Sequence, residues 1–186
     1  FIPIVERHAQ TQSVTDFSVP AEGYGKFLVD VFHEWYEHDV GKIYVSQFDN
    51  LLGQWLGYPS TTCVHQPTCG QSLVTEANGD VYACDHFVYP EYKVGNLTQQ
   101  PLTEIVFSSK QQQFGLEKSQ KLTALCQHCE FRKLCYGGCP KHRFVSLENE
   151  PNPHNYLCAS YRYFFEQTAP YMQAMARQIR LHPSAA

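Results

Sequence analysis

Eight cysteines, and their spacing, constrain this chain more than any other feature. They are Cys63, Cys69, Cys84, Cys126, Cys129, Cys135, Cys139 and Cys158. Eight is two sets of four, and four thiolates are what one tetrahedral zinc or one iron–sulfur cubane takes. The run Cys126-x2-Cys129-x5-Cys135-x3-Cys139 has chelate spacing that side-chain packing does not require. Soft thiolates select zinc or iron–sulfur clusters over calcium or magnesium. An even count also permits disulfides, but disulfide-stapled secreted scaffolds are usually shorter and denser in cysteine. His65, His128, His142 and His154 lie near the cysteines and could serve as ligands. Eight thiolates already complete two sites, so these histidines read as hydrogen-bonding or surface residues.

Composition narrows the function classes. With Lys+Arg 14 against Asp+Glu 18, the formal charge is −4, so no broad basic surface recruits nucleic acid. Arg132, Lys133, Lys141 and Arg143 sit among the last cysteines and could offset the negative charge of a thiolate-bound cluster. No apolar run approaches the roughly 18 residues of a membrane span, and no signal-peptide pattern is present. A cytoplasmic location is therefore expected. The chain opens on Phe1-Ile2-Pro3-Ile4-Val5, which reads as a strand entered in mid-fold. The expectation is the C-terminal part of a longer protein.

The element pattern is α+β. Residues 1–5 read as a strand and 6–19 as a loop. A helix opens at Pro20-Ala21-Glu22, buries Phe27, Leu28, Val31, Phe32, Trp35 and Tyr36, and ends by Gly41. Residues 42–47 alternate like a second strand, and 48–56 form a short helix, an order that suits the tail of an α/β fold. Strands over 71–77 and 80–84 meet at Asn78-Gly79, which favours a type I′ hairpin and puts Cys84 at a strand end. Helices are expected over 101–107 and 109–118, the glutamine-rich stretch 109–121 presenting a solvated face. Residues 122–143 form cysteine-rich loops. A last helix runs from about Pro153 to Arg180, kinked or broken at Pro170. The helical spacing of the aromatics in 27–36 and 156–165 indicates core packing rather than an electron relay.

Taken together, Cys69-x9-Gly79-x4-Cys84, the run Cys126 to Cys139, and Cys158 resemble the SPASM domain. This is the C-terminal auxiliary-cluster domain of peptide-modifying radical S-adenosylmethionine enzymes. Thr68-Cys69-Gly70, Ala83-Cys84-Asp85, Val94-Gly95-Asn96 and Tyr136-Gly137-Gly138-Cys139-Pro140 are similar to anaerobic sulfatase-maturating enzymes, including arylsulfatase regulators. Gly25-Lys26-Phe27-Leu28 and Phe48-Asp49-Asn50 resemble the stretch leaving that family's partial TIM barrel. The resemblance implies a barrel end and linker over 1–60 and an auxiliary-cluster domain over 61–186. It implies that Cys63, Cys69, Cys84 and Cys139 bind one [4Fe–4S] cluster and that Cys126, Cys129, Cys135 and Cys158 bind a second. Spacing alone requires only that Cys126 and Cys129 share a site.

The resemblance also implies a reaction. A sulfatase polypeptide is the substrate, and its cysteine or serine becomes Cα-formylglycine. A 5′-deoxyadenosyl radical, made elsewhere in the full enzyme, removes a hydrogen atom from the side chain's Cβ. Asp85 takes the thiol or hydroxyl proton as general base, and the second electron leaves for an electron acceptor. A structural alternative has Asp85 only capping a turn. His86 and Tyr89 line the same cleft in this reading. Cys135-x3-Cys139-x2-His142 has histidine where the radical-generating triad needs its third cysteine. S-adenosylmethionine and a third cluster therefore belong to the full-length enzyme, and this chain alone is expected to be inactive. Two alternatives stand beside this reading, another peptide-modifying maturase with the same cysteines and a zinc-bound interaction module.

Overall fold

The computed structural model describes residues 1–9, 11 and 13–181. Helices α1 (Gly23–His38) and α2 (Ser46–Leu56) come first. Strands β1 (Val74–Thr75), β2 (Asp80–Tyr82) and β3 (Lys93–Asn96) follow. Next are α3 (Leu102–Val106), α4 (Ser109–Gln120), α5 (Ala124–Gln127) and α6 (Arg132–Cys135). The chain closes with β4 (Arg143–Val145), β5 (His154–Asn155) and the long helix α7 (Cys158–Leu181). The architecture is α+β, as the pattern indicated.

The core is helical. Leu28, Phe32 and Trp35 recur on one face of α1, Phe48 and Leu51 on α2, and Phe164, Phe165, Met172 and Met175 on α7. Fully burying side chains of this size contributes about 1.5–3 kcal/mol each. Close approach is set at Gly25, where an added Cβ would lie 2.6 Å from the Ser160 carbonyl oxygen. The Gly25 amide donates to Ser160 Oγ at 2.7 Å, and that hydroxyl donates to the Ala21 carbonyl at 2.5 Å. The start of α7, which carries Cys158, is thereby bolted to the start of α1.

Several expected elements form differently. Residues 1–5 are not a strand. The Ile4 and Glu6 carbonyls accept from Val19 and Thr15, and one isolated bridge joins Arg7 to Val14. Residues 42–47 are not a strand either. Asp49 accepts from the Val45 amide at 2.7 Å and starts α2 at Ser46, while the Trp35 indole donates to the Ile43 carbonyl at 2.9 Å. That segment is therefore a helix-to-helix turn, with Ile43 and Tyr44 exposed.

The hairpin is present, but its turn is not type I′. Only Gly79 has positive φ, at 84°, and the Gly79 amide donates to the Glu76 carbonyl at 2.9 Å. The Asn78 side chain instead accepts from the Asp80 amide at 3.0 Å, which keeps Asn78 out of the left-handed region. A longer turn ending on a left-handed glycine is the other common hairpin solution. β3 adds to β2 antiparallel, giving a meander in the order β1-β2-β3, while β4 and β5 form a separate antiparallel pair. Helix α7 continues through Pro170 rather than ending there. Among the described residues no helix is long and apolar enough to cross a membrane.

Helix α4 departs furthest from expectation. Gln111, Gly115 and Lys118, spaced along one face, are buried, so 109–121 is not simply a solvated stretch. The inward face carries no large apolar side chain because it packs on backbone carbonyls of the cysteine loops. Gln111 Nε2 donates to the Gly70 carbonyl at 2.8 Å and to that of Ala83 at 3.2 Å. Gly115 accepts from the Cys69 amide at 3.1 Å, and a Cβ there would lie 2.6 Å from the Cys69 oxygen.

Candidate metal centre

The eight cysteines divide between two cavities. The first, about 410 Å³, is lined by Cys63, Cys69, Cys84 and Cys139. The second, about 540 Å³, is lined by Cys126, Cys129, Cys135 and Cys158. Each quartet draws on several elements. Cys63 begins a 3₁₀ turn, Cys69 is held against α4, and Cys84 follows β2, with the Ala83 amide donating to Tyr92. Cys126 and Cys129 flank the end of α5, whose cap Thr123 accepts from the Cys126 amide at 3.3 Å. Cys135 ends α6 and Cys158 begins α7. None of the eight is in a disulfide.

The crossing from one cavity to the other takes three residues. Tyr136, Gly137 and Gly138 all have positive φ, at 49°, 71° and 62°, so the backbone makes a left-handed turn between Cys135 and Cys139. A Cβ at Gly137 would meet Leu122 at 2.5 Å, and one at Gly138 would meet Asn155 at 2.6 Å. Glycine serves there on two grounds, conformation and space. The backbone amides of Gly137 and Gly138 lie near the Cys135 sulfur and oppose the rise of its pKa, as the Lys141 amide does at Cys139 and the His86 amide at Cys84, while the Gly138 amide donates to the Cys135 carbonyl at 3.0 Å. Backbone N–H groups gathered on sulfur stabilise its anionic form. Tyr161, buried at the start of α7, lines both cavities.

Burial dominates the electrostatics of the free thiols. It pushes Cys84 and Cys135 up to about 12, and Cys69 and Cys158 up to about 11. The cysteines that repel one another divide as the cavities do. Cys69 feels Cys139 and Cys63, while Cys158 feels Cys126 and Cys129. Two cations lie inward. Lys118 Nζ donates to the carbonyls of Cys63 at 2.5 Å and Val64 at 3.1 Å. The Arg143 guanidinium donates to the carbonyls of Lys118 at 2.6 Å, Tyr136 at 2.9 Å and Gly137 at 3.1 Å. Of the cations expected near the cysteines, Arg143 turns in, Arg132 borders the second cavity, and Lys141 lies 4.7 Å over the Tyr89 ring.

The histidines take distinct places. His65 and His142 are buried in the wall of the first cavity, each with an Nδ1 that has no partner. Burial lowers both to about 4, helped by the Lys118 charge at His65 and by His86 at His142. His154 Nδ1 lies 3.0 Å from Thr123 Oγ1 and 3.7 Å from Cys126 Sγ, and His128 Nδ1 lies 2.9 Å from the Ala124 carbonyl. Asp85 is exposed, and its Oδ1 accepts from the Cys84 thiol at 3.1 Å. It lines both the first cavity and an adjoining groove of about 420 Å³, whose walls include residues 2–6, His86, Tyr89 and Lys141.

A thiolate quartet around a roomy cavity suits a polynuclear group. Four sulfurs on one zinc, bound at about 2.3 Å, stand only about 3.8 Å apart. Among the described residues no three His, Cys, Asp or Glu side chains converge on a single-ion site. The all-sulfur donor sets fit an iron–sulfur cubane in each cavity, and the first cavity also has two orphaned histidine nitrogens in its wall. Lys118, Gln111 and Gly115 escaped the sequence reading. Their seven-residue helical stripe was the available signal, hidden because it is not apolar.

Residues 63–130 match the family model of SPASM, an iron–sulfur cluster-binding domain. Cys135, Cys139 and Cys158, which complete the two quartets, lie beyond the matched residues. The chain is 42% identical to a serine-type anaerobic sulfatase-maturating enzyme from Bacteroides thetaiotaomicron, over 96% of this chain and 47% of that protein. It is 31% identical to a cysteine-type anaerobic sulfatase-maturating enzyme from Clostridium perfringens, over 97% of this chain and 49% of that protein. Among solved structures, native anSMEcpe with bound AdoMet and Kp18Cys peptide is similar at a TM-score of 0.77 and 32% identity. That match covers 96% of this chain and 48% of the other. The chain thus spans about half the length of the curated relatives it matches.

Proposed function

We propose that this chain is the C-terminal part of a cytoplasmic radical S-adenosylmethionine enzyme that converts a cysteine or serine of a sulfatase to Cα-formylglycine. The reading assigns residues 1–60 to the end of a partial TIM barrel and its linker, and 61–186 to the auxiliary-cluster domain. Cys63, Cys69, Cys84 and Cys139 would hold one [4Fe–4S] cluster, and Cys126, Cys129, Cys135 and Cys158 the other. Such clusters, once bound, accept and pass single electrons. The observation that carries the reading is the division of the eight cysteines into two all-thiolate quartets, with the Asp85 carboxylate shared between one quartet's cavity and an open groove.

The chain's own residues have three tasks. The cysteines hold, the groove orients, and Asp85 moves a proton. Asp85 stands at the groove end of the first cavity, where its carboxylate can take the proton from a substrate thiol or hydroxyl. Residues 2–6, Tyr89 and Lys141 offer walls for an extended peptide. The relatives named as serine-type and cysteine-type, and the similar structure with a bound peptide, support a polypeptide substrate. S-adenosylmethionine and a third cluster belong to the rest of the enzyme, and an electron acceptor discharges the second cluster. The chain alone, lacking the radical-generating triad, is inactive on this reading.

Two measurements test it. Anaerobically reconstituted chain should contain about eight iron and eight acid-labile sulfide. Colourless protein with zinc and no sulfide would instead support a zinc-bound interaction module. The full-length protein, given S-adenosylmethionine and reductant, should produce formylglycine in sulfatase-motif peptides, read by mass spectrometry with cysteine and serine versions side by side. Cluster-replete enzyme that leaves both peptides unmodified would point to another peptide-modifying maturase.

A further inference from the structure

A buried cation, Lys118, and a half-buried one, Arg143, have no carboxylate within ion-pair reach among the described residues. Lys118 is 1% exposed, and its ammonium meets only the Cys63 and Val64 carbonyls. Arg143 meets only the carbonyls of Lys118 and of residues 136–138. The ion pairs that do form lie elsewhere and involve Lys26, His38, Lys93, Lys121 and Arg162. Burying a charge without an opposite one costs several kcal/mol in real proteins. The carbonyl contacts relieve part of that cost, since carbonyl oxygens carry partial negative charge, but they supply no counter-charge. The sulfurs that act on the Lys118 charge once they are thiolates are those of Cys63, Cys69 and Cys139, all of the first quartet. Those that act on Arg143 come from both quartets, Cys126 and Cys135 of the second and Cys69 and Cys139 of the first.

We propose that Lys118 is the dedicated counter-ion of the cluster in the first cavity, and that its charge favours one-electron reduction of that cluster. The inference rests on the two-cluster reading above. A cubane held by four thiolates is already anionic, and accepting an electron adds one more negative charge. A fixed cation that is itself shielded from water, as Lys118 is, stabilises the reduced form more than the oxidised form. In the proposed reaction that electron is the second one lost by the substrate side chain, after hydrogen-atom removal, while Asp85 takes the proton. Lys118 therefore makes the site beside Asp85 the readier acceptor. Arg143, placed between the quartets, acts on both. Helix α4 exists in this reading to deliver one charge, and its inward stripe of Gln111 and Gly115 lets the backbone approach closely enough.

The test is redox titration of the anaerobically reconstituted chain, followed by electron paramagnetic resonance, on Lys118→Met, Lys118→Gln and Lys118→Arg. Iron and sulfide content is measured first. Wild-type chain without iron or sulfide refutes the two-cluster reading and leaves no cluster for Lys118 to serve. With clusters in place, both neutral variants should weaken reduction of one cluster at least tenfold, about 59 mV for a one-electron couple. The other cluster should change less than threefold. The arginine variant should restore the wild-type midpoint, because it keeps charge while altering shape. Loss of one cluster from the neutral variants alone, with the arginine variant replete, also supports the assignment. The proposal is overturned if the neutral variants leave both midpoints in place, if both midpoints move together, or if all three variants lose the cluster alike.

Discussion

At the scale of single residues, the thiols carry a pH signature. Cys84 and Cys135 are pushed up to about 12 and Cys69 and Cys158 up to about 11 from a usual 9, chiefly by burial. A group whose pKa rises on folding stabilises the fold below its unfolded pKa, and that contribution is lost as pH climbs through the folded value. Metal-free chain should therefore lose stability between about pH 9 and pH 12. Metal-loaded chain, whose sulfurs carry metal rather than protons, should lose much less. Urea midpoints of the two forms across that range check this, and parallel loss in both forms would contradict it. Asp85 makes the second residue-scale prediction. Asp85→Asn in the full-length enzyme should cut formylglycine production by about 10²–10⁴, the usual worth of a general base, with iron content unchanged. Unaltered turnover would reduce Asp85 to a turn cap accepting the Cys84 thiol.

At the scale of elements, helix α4 and the β1–β2–β3 meander are the parts that place ligands. Gly115→Ala puts a Cβ 2.6 Å from the backbone oxygen of Cys69, a contact that no flexible side chain can relieve. Overpacking of this kind typically costs about 1–3 kcal/mol. The variant should melt earlier and hold less iron in one site, whereas Gly53→Ala on α2, with nothing within 4 Å, should do neither. The meander depends on Asp80. Its carboxylate takes a hydrogen bond from Asn96 at 2.7 Å, pairs with Lys93 across to β3, and is held below its usual pKa mainly by Lys93. Stability from this lowered group is present above its unfolded value and drains as pH falls through the folded one. Asp80→Asn should abolish that acid-side dependence in hydrogen exchange of the β2 and β3 amides.

These elements also show what could be read from sequence. Helices α1, α2, α3 and α7 and the presence of the hairpin follow from spacing and turn chemistry, whereas the split of the cysteines into quartets comes from the family resemblance, spacing requiring only that Cys126 and Cys129 share a site. The segments 1–5 and 42–47 did not form strands, because apolar alternation marks a strand only where a partner offers its backbone. Here Asp49 and Trp35 take the backbone groups first. Lys118 and Gln111 were illegible for a related reason. A helix face that packs on carbonyls rather than on side chains looks solvated in any pattern based on hydrophobicity.

At the scale of the whole molecule, two kinds of cohesion meet at α7. One is the apolar core of α1, α2 and α7, with Phe32, Phe48, Phe164 and Met172 fully enclosed. The other is the set of cysteine loops, whose strands are two to four residues long and whose helices α5 and α6 have four residues each. Elements this short do not persist alone. The first quartet spans Cys63 to Cys139 and the second Cys126 to Cys158, so a cluster in each cavity would close long, overlapping loops. Such closure stabilises the folded state only while metal is bound. Stripping metal with a chelator should therefore split the molecule's response. Amides of 61–72 and 122–141 should lose hydrogen-exchange protection, while those of α1 and of α7 beyond Phe164 keep most of theirs. The division should fall at the start of α7, because Cys158 and Ser160 lie two residues apart and serve opposite sides. Ser160 stays tied to Gly25 and Ala21 whatever the metal content. Uniform loss of protection through α1 would mean that the helical core itself depends on the clusters.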